Sequence, residues 1–211
     1  MAPTANLLRI GIVADIHCNH EALAIALERM GPVDELLCAG DAVYQFRFSN
    51  EVMELLRRYR ARYVLGNHEE VLLGRWGERA RNAPTVRREN LAYMQSQPFN
   101  LDVQVNGRRL YMVHGSPWEP RNEYIYPNSP ALKRLGQIGS DLVVLGHTHY
   151  HMAERVGRSL VINPGSCGEA RDHRNSFCLS YAMLDAETEE VTFDHFEDPT
   201  RVSLRAGRLR P

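Results

Sequence analysis

The chain has 211 residues, with 25 basic and 26 acidic side chains and a formal net charge of −1. That balance excludes the single-sign field of a general nucleic-acid or membrane-surface binder, though not a local patch. With 44% hydrophobic and 24% charged residues the chain can bury a core, and no apolar run approaches the ~20 residues of a membrane-spanning helix. Met1 to Leu8 shows no basic segment leading into an apolar one, so no signal peptide is expected and the reading is a single cytoplasmic domain over 1–211. Cys18, Cys38, Cys167 and Cys178 form no C-x-x-C pair and are expected as free thiols. Lys133 is the only lysine, so almost every cation is an arginine, the side chain suited to bidentate phosphate binding.

In chain order, Leu8–Ala14 is a short Ile/Val-rich run that predicts a buried strand. Asn19–Met30 predicts a helix with Asn19 as its N-cap and Gly31-Pro32 as its stop. Glu35–Ala39 is a second strand, Ser49–Tyr59 a second helix and Arg62–Leu65 a third strand. The β-α-β-α-β order predicts a parallel sheet covered by helices. Residues 69–97 are rich in Arg and Glu, with helical periodicity around Val71–Trp76 and Val86–Met94, and predict a helical insertion over one end of the sheet. Leu101–Val105 and Arg108–Val113 flank Asn106-Gly107, a strong hairpin signal. Pro117–Pro130 is a long loop and Ala131–Ile138 a short helix. Asp141–Leu145 is a further buried strand, Tyr150–Val156 and Ser159–Ile162 a hairpin, and Phe177–Leu184 and Glu190–His195 close the sheet.

Five polar clusters each follow an apolar, strand-like run: Asp15-Ile16-His17, Gly40-Asp41, Gly66-Asn67-His68-Glu69, His114-Gly115 and Gly146-His147-Thr148-His149. Ligands of open α/β sheets gather beyond the carboxyl ends of the strands. Strands ending this way bring seven potential metal ligands to one rim: Asp15, His17, Asp41, Asn67, His114, His147 and His149. Carboxylate, imidazole and amide oxygen suit divalent first-row metals, and the absence of cysteine from the set argues against a structural zinc site. Glycine before Asp41, Asn67 and His147 permits tight turns and close backbone approach.

In that order the motifs DxH, GD, GNHE, H and GHTH resemble the calcineurin-like metallophosphoesterases. Asn163-Pro164-Gly165-Ser166 followed by Arg171-Asp172 is similar to the small bacterial and archaeal phosphodiesterase branch. The resemblance implies a four-layer αββα sandwich with two mixed β-sheets and a small helical insertion. It implies two divalent metal ions, with manganese favoured over iron, cobalt, nickel, zinc or magnesium. One would be held by Asp15, His17, Asp41 and His149, the other by Asp41, Asn67, His114 and His147, with Asp41 bridging. It further implies attack of metal-bound hydroxide on phosphorus. His68 matches the family's catalytic histidine, proposed there to protonate the leaving oxygen or stabilise the transition state, and Glu69 would orient it. Cys18 departs from the family's usual glycine. The absence of an Asp-Arg-Gly run after Asp41 argues against a protein phosphatase.

The expected substrate is a small phosphoester or nucleotide, a diester before a monoester or a dinucleoside polyphosphate, with no membrane partner and a homo-oligomer left open. A non-catalytic scaffold of the same fold is the reading from another class; the intact ligand set speaks against it. Of the other histidines, His20 is expected on the first turn of the first helix, His173 and His195 at the surface, and His151 away from the mouth of the site. Arg121, Arg171 and Arg174 lie in loops and read equally as solvated or as gripping a non-scissile phosphate. Tyr44, Tyr124 and Tyr126 read either as stacking on a base or as packing their own loops. The C-terminal Arg201, Arg205, Arg208 and Arg210 read as a solvated tail.

Overall fold

The structure is a computed structural model that describes residues 8–201; the expectations for the N-terminal segment and for Arg205, Arg208 and Arg210 lie outside the described residues. In β1 (Arg9–Val13) the pleat sends Ile10 and Ile12 to one face and Val13 to the other, as a strand buried on both sides requires. Helix α1 (His20–Met30) starts where the Asn19 side chain accepts the Ala22 N–H at 3.1 Å and stops at Gly31, whose φ is 63°. After β2 (Glu35–Cys38), Ser49 caps α2 (Asn50–Arg58) by accepting the Val52 N–H at 3.2 Å. Such caps satisfy donors that the first helical turn leaves free. The short β3 (Arg62–Tyr63) leads into α3 (Asn67–Leu73), α4 (Glu78–Arg81) and α5 (Arg88–Gln95).

The second half is mainly β: β4 (Asn100–Val105), β5 (Arg108–Val113), α6 (Pro130–Leu135), β6 (Leu142–Val144), β7 (His151–Val156), β8 (Ser159–Pro164), β9 (Leu179–Asp185) and β10 (Val191–Phe196). Asn106 and Gly107 both take positive φ, 50° and 72°, the geometry that lets a two-residue turn follow the strand twist.

Two mixed five-stranded sheets result, in the orders β10-β9-β1-β2-β3 and β4-β5-β6-β8-β7. In the first, β1, β2 and β3 are parallel and β9 runs antiparallel to β1. In the second, β5, β6 and β8 are parallel, with β4 and β7 antiparallel at the edges. Ile10, Ile12, Leu37, Leu110, Met112, Val144, Ile162 and Leu184 fill the space between the sheets. A second cluster joins the outer face of the first sheet to α1 and α2 through Leu23, Leu27, Val52, Met53 and Leu56. A third joins the second sheet to α6 through Val143, Val161, Leu132 and Leu135. The order is therefore αββα, and each fully buried Leu or Ile adds about 1.5–3 kcal/mol of transfer free energy.

The expected insertion over 69–97 is helical, but its packing differs from the expectation of a cover over the strand ends. Leu72, Val86, Leu91 and Met94 are buried in the same cluster as α1 and α2, and Arg57 and Glu54 of α2 bond the buried Asn90 of α5. These helices extend the outer layer on the face of the first sheet. Among the described residues no helix is long and apolar enough to cross a membrane.

Candidate metal centre

Because β1, β2 and β3 are parallel in one sheet and β5 and β6 in the other, the loops after them meet at one rim. Backbone bonds tie these loops together: Asp15 N–H donates to Gly40 O at 3.0 Å, His17 N–H to Asp41 O at 3.0 Å, and Gly146 N–H to His114 O at 2.8 Å. Asp15, His17, Asp41, His147 and His149 all adopt positive φ, between 48° and 70°. Non-glycine residues pay for that conformation, and such strain gathers at functional sites. Gly66 shows why glycine precedes Asn67. A Cβ there would stand 2.2 Å from Asp41 Oδ1 and 2.6 Å from Asp41 N.

Asp15, His17 and His149 form one group. The His149 Nδ1–H donates to Glu169 O at 2.7 Å, which leaves the Nε2 lone pair facing inward. This Nε2 lies 3.1 Å from His17 Nε2 and 3.3 Å from Asp15 Oδ1. Asp15 Oδ1 is buried and accepts no hydrogen bond, while its Oδ2 accepts the His147 N–H at 2.9 Å. Burial pushes the His17 imidazole down to about 4.

Around His114 the second group assembles. Its Nδ1–H donates to Ala39 O at 2.7 Å. Its Nε2 lies 3.1 Å from Asp41 Oδ2, 3.1 Å from Asn67 Oδ1 and 3.2 Å from His147 Nδ1. The His147 Nε2–H is held by Asn122 O at 3.1 Å, so its Nδ1 also offers a lone pair. Burial and the neighbouring His114 push His147 down to about 4. For His114 itself burial acts downward, but the carboxylates of Asp41 and Asp15 outweigh it and raise the ring to about 10. In return the neighbouring imidazoles, chiefly His114, hold Asp41 well below the ordinary carboxylate range against its burial.

Side-chain atoms that can ligate thus converge in two sets at the spacing of shared ligands: donors bound to one ion at about 2.1 Å stand about 3.0–3.4 Å apart. The carboxylates, imidazoles and the Asn67 amide fit divalent cations. A field that draws a proton onto His114 also draws a cation.

His68 lies in the first turn of α3. The Gln45 N–H donates to its Nδ1 at 3.1 Å, so Nε2 carries the hydrogen and points to Asp41 Oδ2 at 3.8 Å. Tyr44 packs edge-on against His68 and tilted against His17, with centroids 5.3 and 4.6 Å away. Its hydroxyl donates to Glu169 Oε2 at 2.8 Å, and that oxygen lies 3.7 Å from His17 Nε2.

Glu69 requires a correction. Its buried carboxylate does not bond His68. Oε2 accepts the N–H groups of Gly66 at 2.8 Å and Asp41 at 3.1 Å; Oε1 accepts the Val43 N–H at 3.1 Å and the Tyr63 hydroxyl at 2.7 Å. Consecutive helical side chains point apart, so Glu69 turns into the core while His68 faces the mouth. Burial and the Asp41 charge raise Glu69 to about 7.

All seven expected ligands and His68 come together. His20 begins α1, and His173 and His195 are exposed. His151 pairs with Asp172 at 3.0 Å and packs against His195, apart from the ligand groups. The loop arginines are already paired: Arg121 with Glu70 at 2.9 Å, Arg171 with Glu169 at 2.9 Å and Arg174 with Asp172 at 2.6 Å. Sequence reasoning missed Glu169 beside His17; its place just after the Asn163–Ser166 motif was the available signal. The thiols are free, and Cys18 Sγ donates to Arg47 O at 3.1 Å.

A family description, the calcineurin-like phosphoesterase superfamily domain, matches residues 8–189. An uncharacterized protein of Methanocaldococcus jannaschii is 28% identical over 86% of this chain and 84% of its own length. The phosphodiesterase YfcE of Escherichia coli is 33% identical over 42% of this chain and 41% of its own. The crystal structure of a metallophosphoesterase from Sphaerobacter thermophilus superposes with a TM-score of 0.72 at 28% identity, covering 97% of this chain and 96% of that one.

Proposed function

The chain belongs to the calcineurin-like phosphoesterase superfamily, and we propose that it hydrolyses phosphodiesters at a two-cation centre. Asp15, His17, Asp41 and His149 would hold one ion, and Asp41, Asn67, His114 and His147 the other. The observation that carries this reading is the convergence of the two sets of ligating side-chain atoms, 3.1–3.3 Å between neighbours, with buried Asp15 Oδ1 unpaired. Manganese heads the candidate metals on the family resemblance; mixed oxygen and imidazole donors without thiolate suit it along with the other divalent first-row ions.

The cations, when bound, supply positive charge that acidifies water and neutralises the phosphoryl oxygens. Asp41 would contribute its carboxylate to both ions, and its Oδ1 is fixed by the His68 N–H at 2.9 Å. Ala39 O, Glu169 O and Asn122 O fix the tautomers of His114, His149 and His147. His68 delivers the proton from Nε2 to the departing ester oxygen, a transfer worth typically 10²–10⁴ in rate. The preference for diesters draws on the partial likeness to the phosphodiesterase YfcE; monoester hydrolysis is the second reading, since the ligand set treats both phosphorus centres alike.

The test is a parallel assay of a chromogenic phosphodiester and its monoester on metal-stripped protein reloaded with Mn, Co, Ni, Zn or Mg. Diester turnover above monoester turnover is expected. Asp41→Asn should lose more than the 10–100-fold typical of a mere supporting partner. His68→Ala should keep its metal content and lose turnover about 10²–10⁴-fold. Monoester preference would reassign the substrate, near wild-type turnover by Asp41→Asn would remove the bridging role, and metal loss in His68→Ala would make that residue a ligand.

A further inference from the structure

Beside His147 the rim continues as a run of aromatic rings that the proposed chemistry does not use. The Tyr124 ring stacks on the His147 ring, 3.9 Å between centroids and 26° between planes. Tyr126 follows, nearly parallel to Tyr124 at 10° and 6.0 Å. Its other neighbour is Tyr150, met edge-on at 5.3 Å. The far end is anchored, because the Tyr150 hydroxyl bonds His173 Nδ1 at 2.9 Å and the Arg174 guanidinium lies over the Tyr150 ring at 4.9 Å.

These rings are not there merely to pack their loop. Tyr124 and Tyr126 remain 49% and 39% exposed. Single exposed aromatics need no explanation; two adjacent exposed rings at the edge of a phosphate site offer a π-face on which a base can stack. The Arg171 guanidinium, paired with Glu169, is within electrostatic reach of both phenols and of His149. Partly exposed phenol rings stacked outward from His147 offer a π-surface next to the proposed phosphate site, and a π-surface there matches the chemistry of a nucleotide.

We propose that Tyr124 and Tyr126 form a stacking platform for a nucleobase, so that the phosphoester cleaved here carries a nucleoside on the His147 side. The platform deepens the phosphodiesterase reading and rests on it for the placement of the phosphate at the cations. Base–aromatic stacking tolerates every base because each has a π-face, so the platform selects nucleotides as a class and not one base.

The test compares a probe that carries a base with one that has an anomeric hydroxyl in its place, thymidine 5′-phosphate and 2-deoxyribose 5-phosphate, titrated calorimetrically into manganese-loaded protein. Thymidine 5′-phosphate should bind about 10-fold or more tightly. Tyr126→Leu should remove most of that ratio, and Tyr126→Phe should keep it. Tyr126 contacts no proposed ligand, so metal content serves as the folding check. Equal affinities, no binding of either probe, or a Tyr126→Leu change that weakens both alike would overturn the platform. Released phosphate is assayed in the same titrations, so that binding is scored apart from turnover, which separates the two ideas. A preference for the base in protein that cleaves no diester would leave the platform standing and remove the phosphodiesterase reading. Diester cleavage with no base preference would do the reverse.

Discussion

The two ends of the sandwich solve the same problem of turning the chain and solve it with different residues. At the far end, the hairpin between β4 and β5 uses Asn106 and Gly107, and that between β7 and β8 uses Gly157 at φ 60°. Glu189 there joins the turns by bonding both Arg108 and Arg155. These are partly exposed pairs of the kind worth about 0–1 kcal/mol each. At the rim, positive φ falls on Asp15, His17, Asp41, His147 and His149, each buried and each with a side chain that could bind a cation. Both far-end hairpins turn on Asn or Gly, residues that take positive φ with ease, and only Glu189 among the far-end residues named takes it (φ 60°) with a larger side chain. Turns at the rim place acceptors that ease alone would not select, and the backbone bonds among the loops hold them there.

Glycine substitution tests that contrast most strongly. At Gly66 a methyl group would meet Asp41 Oδ1 at 2.2 Å and the Asp41 backbone nitrogen at 2.6 Å, and the loop carrying the shared ligand must shift. Gly66→Ala should therefore cost about 1–3 kcal/mol or more of stability and should also lower bound metal. Gly107→Ala meets nothing within 4 Å but keeps a φ of 72°. It should cost about 1–2 kcal/mol from the left-handed conformation alone, with metal content unchanged. Urea denaturation and elemental analysis of both variants read the two effects. If Gly66→Ala retained full metal content, or Gly107→Ala lost it, the two ends would not be distinct in the way described.

Much of this was legible in the sequence because it depends on local rules. The cap at Asn19, the Asn106-Gly107 turn and the strand-end placement of Asp15, Asp41, Asn67, His114 and His147 follow from period, capping and turn chemistry. The assignment of strands to sheets did not. Strand β9 pairs with β1 from the opposite end of the chain, and such pairing depends on tertiary packing that one strand's pattern does not encode. The positive φ values were equally hidden, since Asp and His are tolerated in that region without announcing it. The packing of 69–97 escaped because an Arg/Glu-rich helix pattern does not say which surface receives Leu72, Leu91 and Met94. For Glu69 a signal was present: a carboxylate three residues after Gly66 is placed to bond the N–H at the helix start, and it does so at 2.8 Å.

Glu69→Gln is the next largest perturbation and decides how that carboxylate contributes to the rim. Glutamine keeps the shape but exchanges one acceptor oxygen for a donor that must face either two backbone N–H groups or an N–H and the Tyr63 hydroxyl. Leaving such buried groups unsatisfied costs about 1–3 kcal/mol. The expected result is lower stability with weaker cation affinity, because Asp41 and Gly66 lose their shared anchor. Calorimetric manganese titration and urea denaturation measure both. A fall in kcat with cation affinity and stability unchanged would instead return Glu69 to the role of orienting His68.

The smallest effect is expected at Cys18, where the rim most resembles the far end. Its φ of 65° is one that glycine adopts freely, and Cys18→Gly should recover up to about 1–2 kcal/mol of that strain. Against this stands the hydrogen bond from Sγ to Arg47 O at 3.1 Å, worth about 0.5–1.5 kcal/mol, and the greater unfolded-state entropy of glycine. Burial raises the thiol above its ordinary range, so the group serves as a neutral donor at physiological pH and brings no charge to the neighbouring His17. The two contributions nearly cancel, and the midpoint of urea denaturation should move by less than about 1 kcal/mol equivalent, with metal content and turnover retained. Loss of turnover with metal still bound would show that the thiol takes part in the chemistry, and this turn would then join the others at the rim in being selected for its side chain.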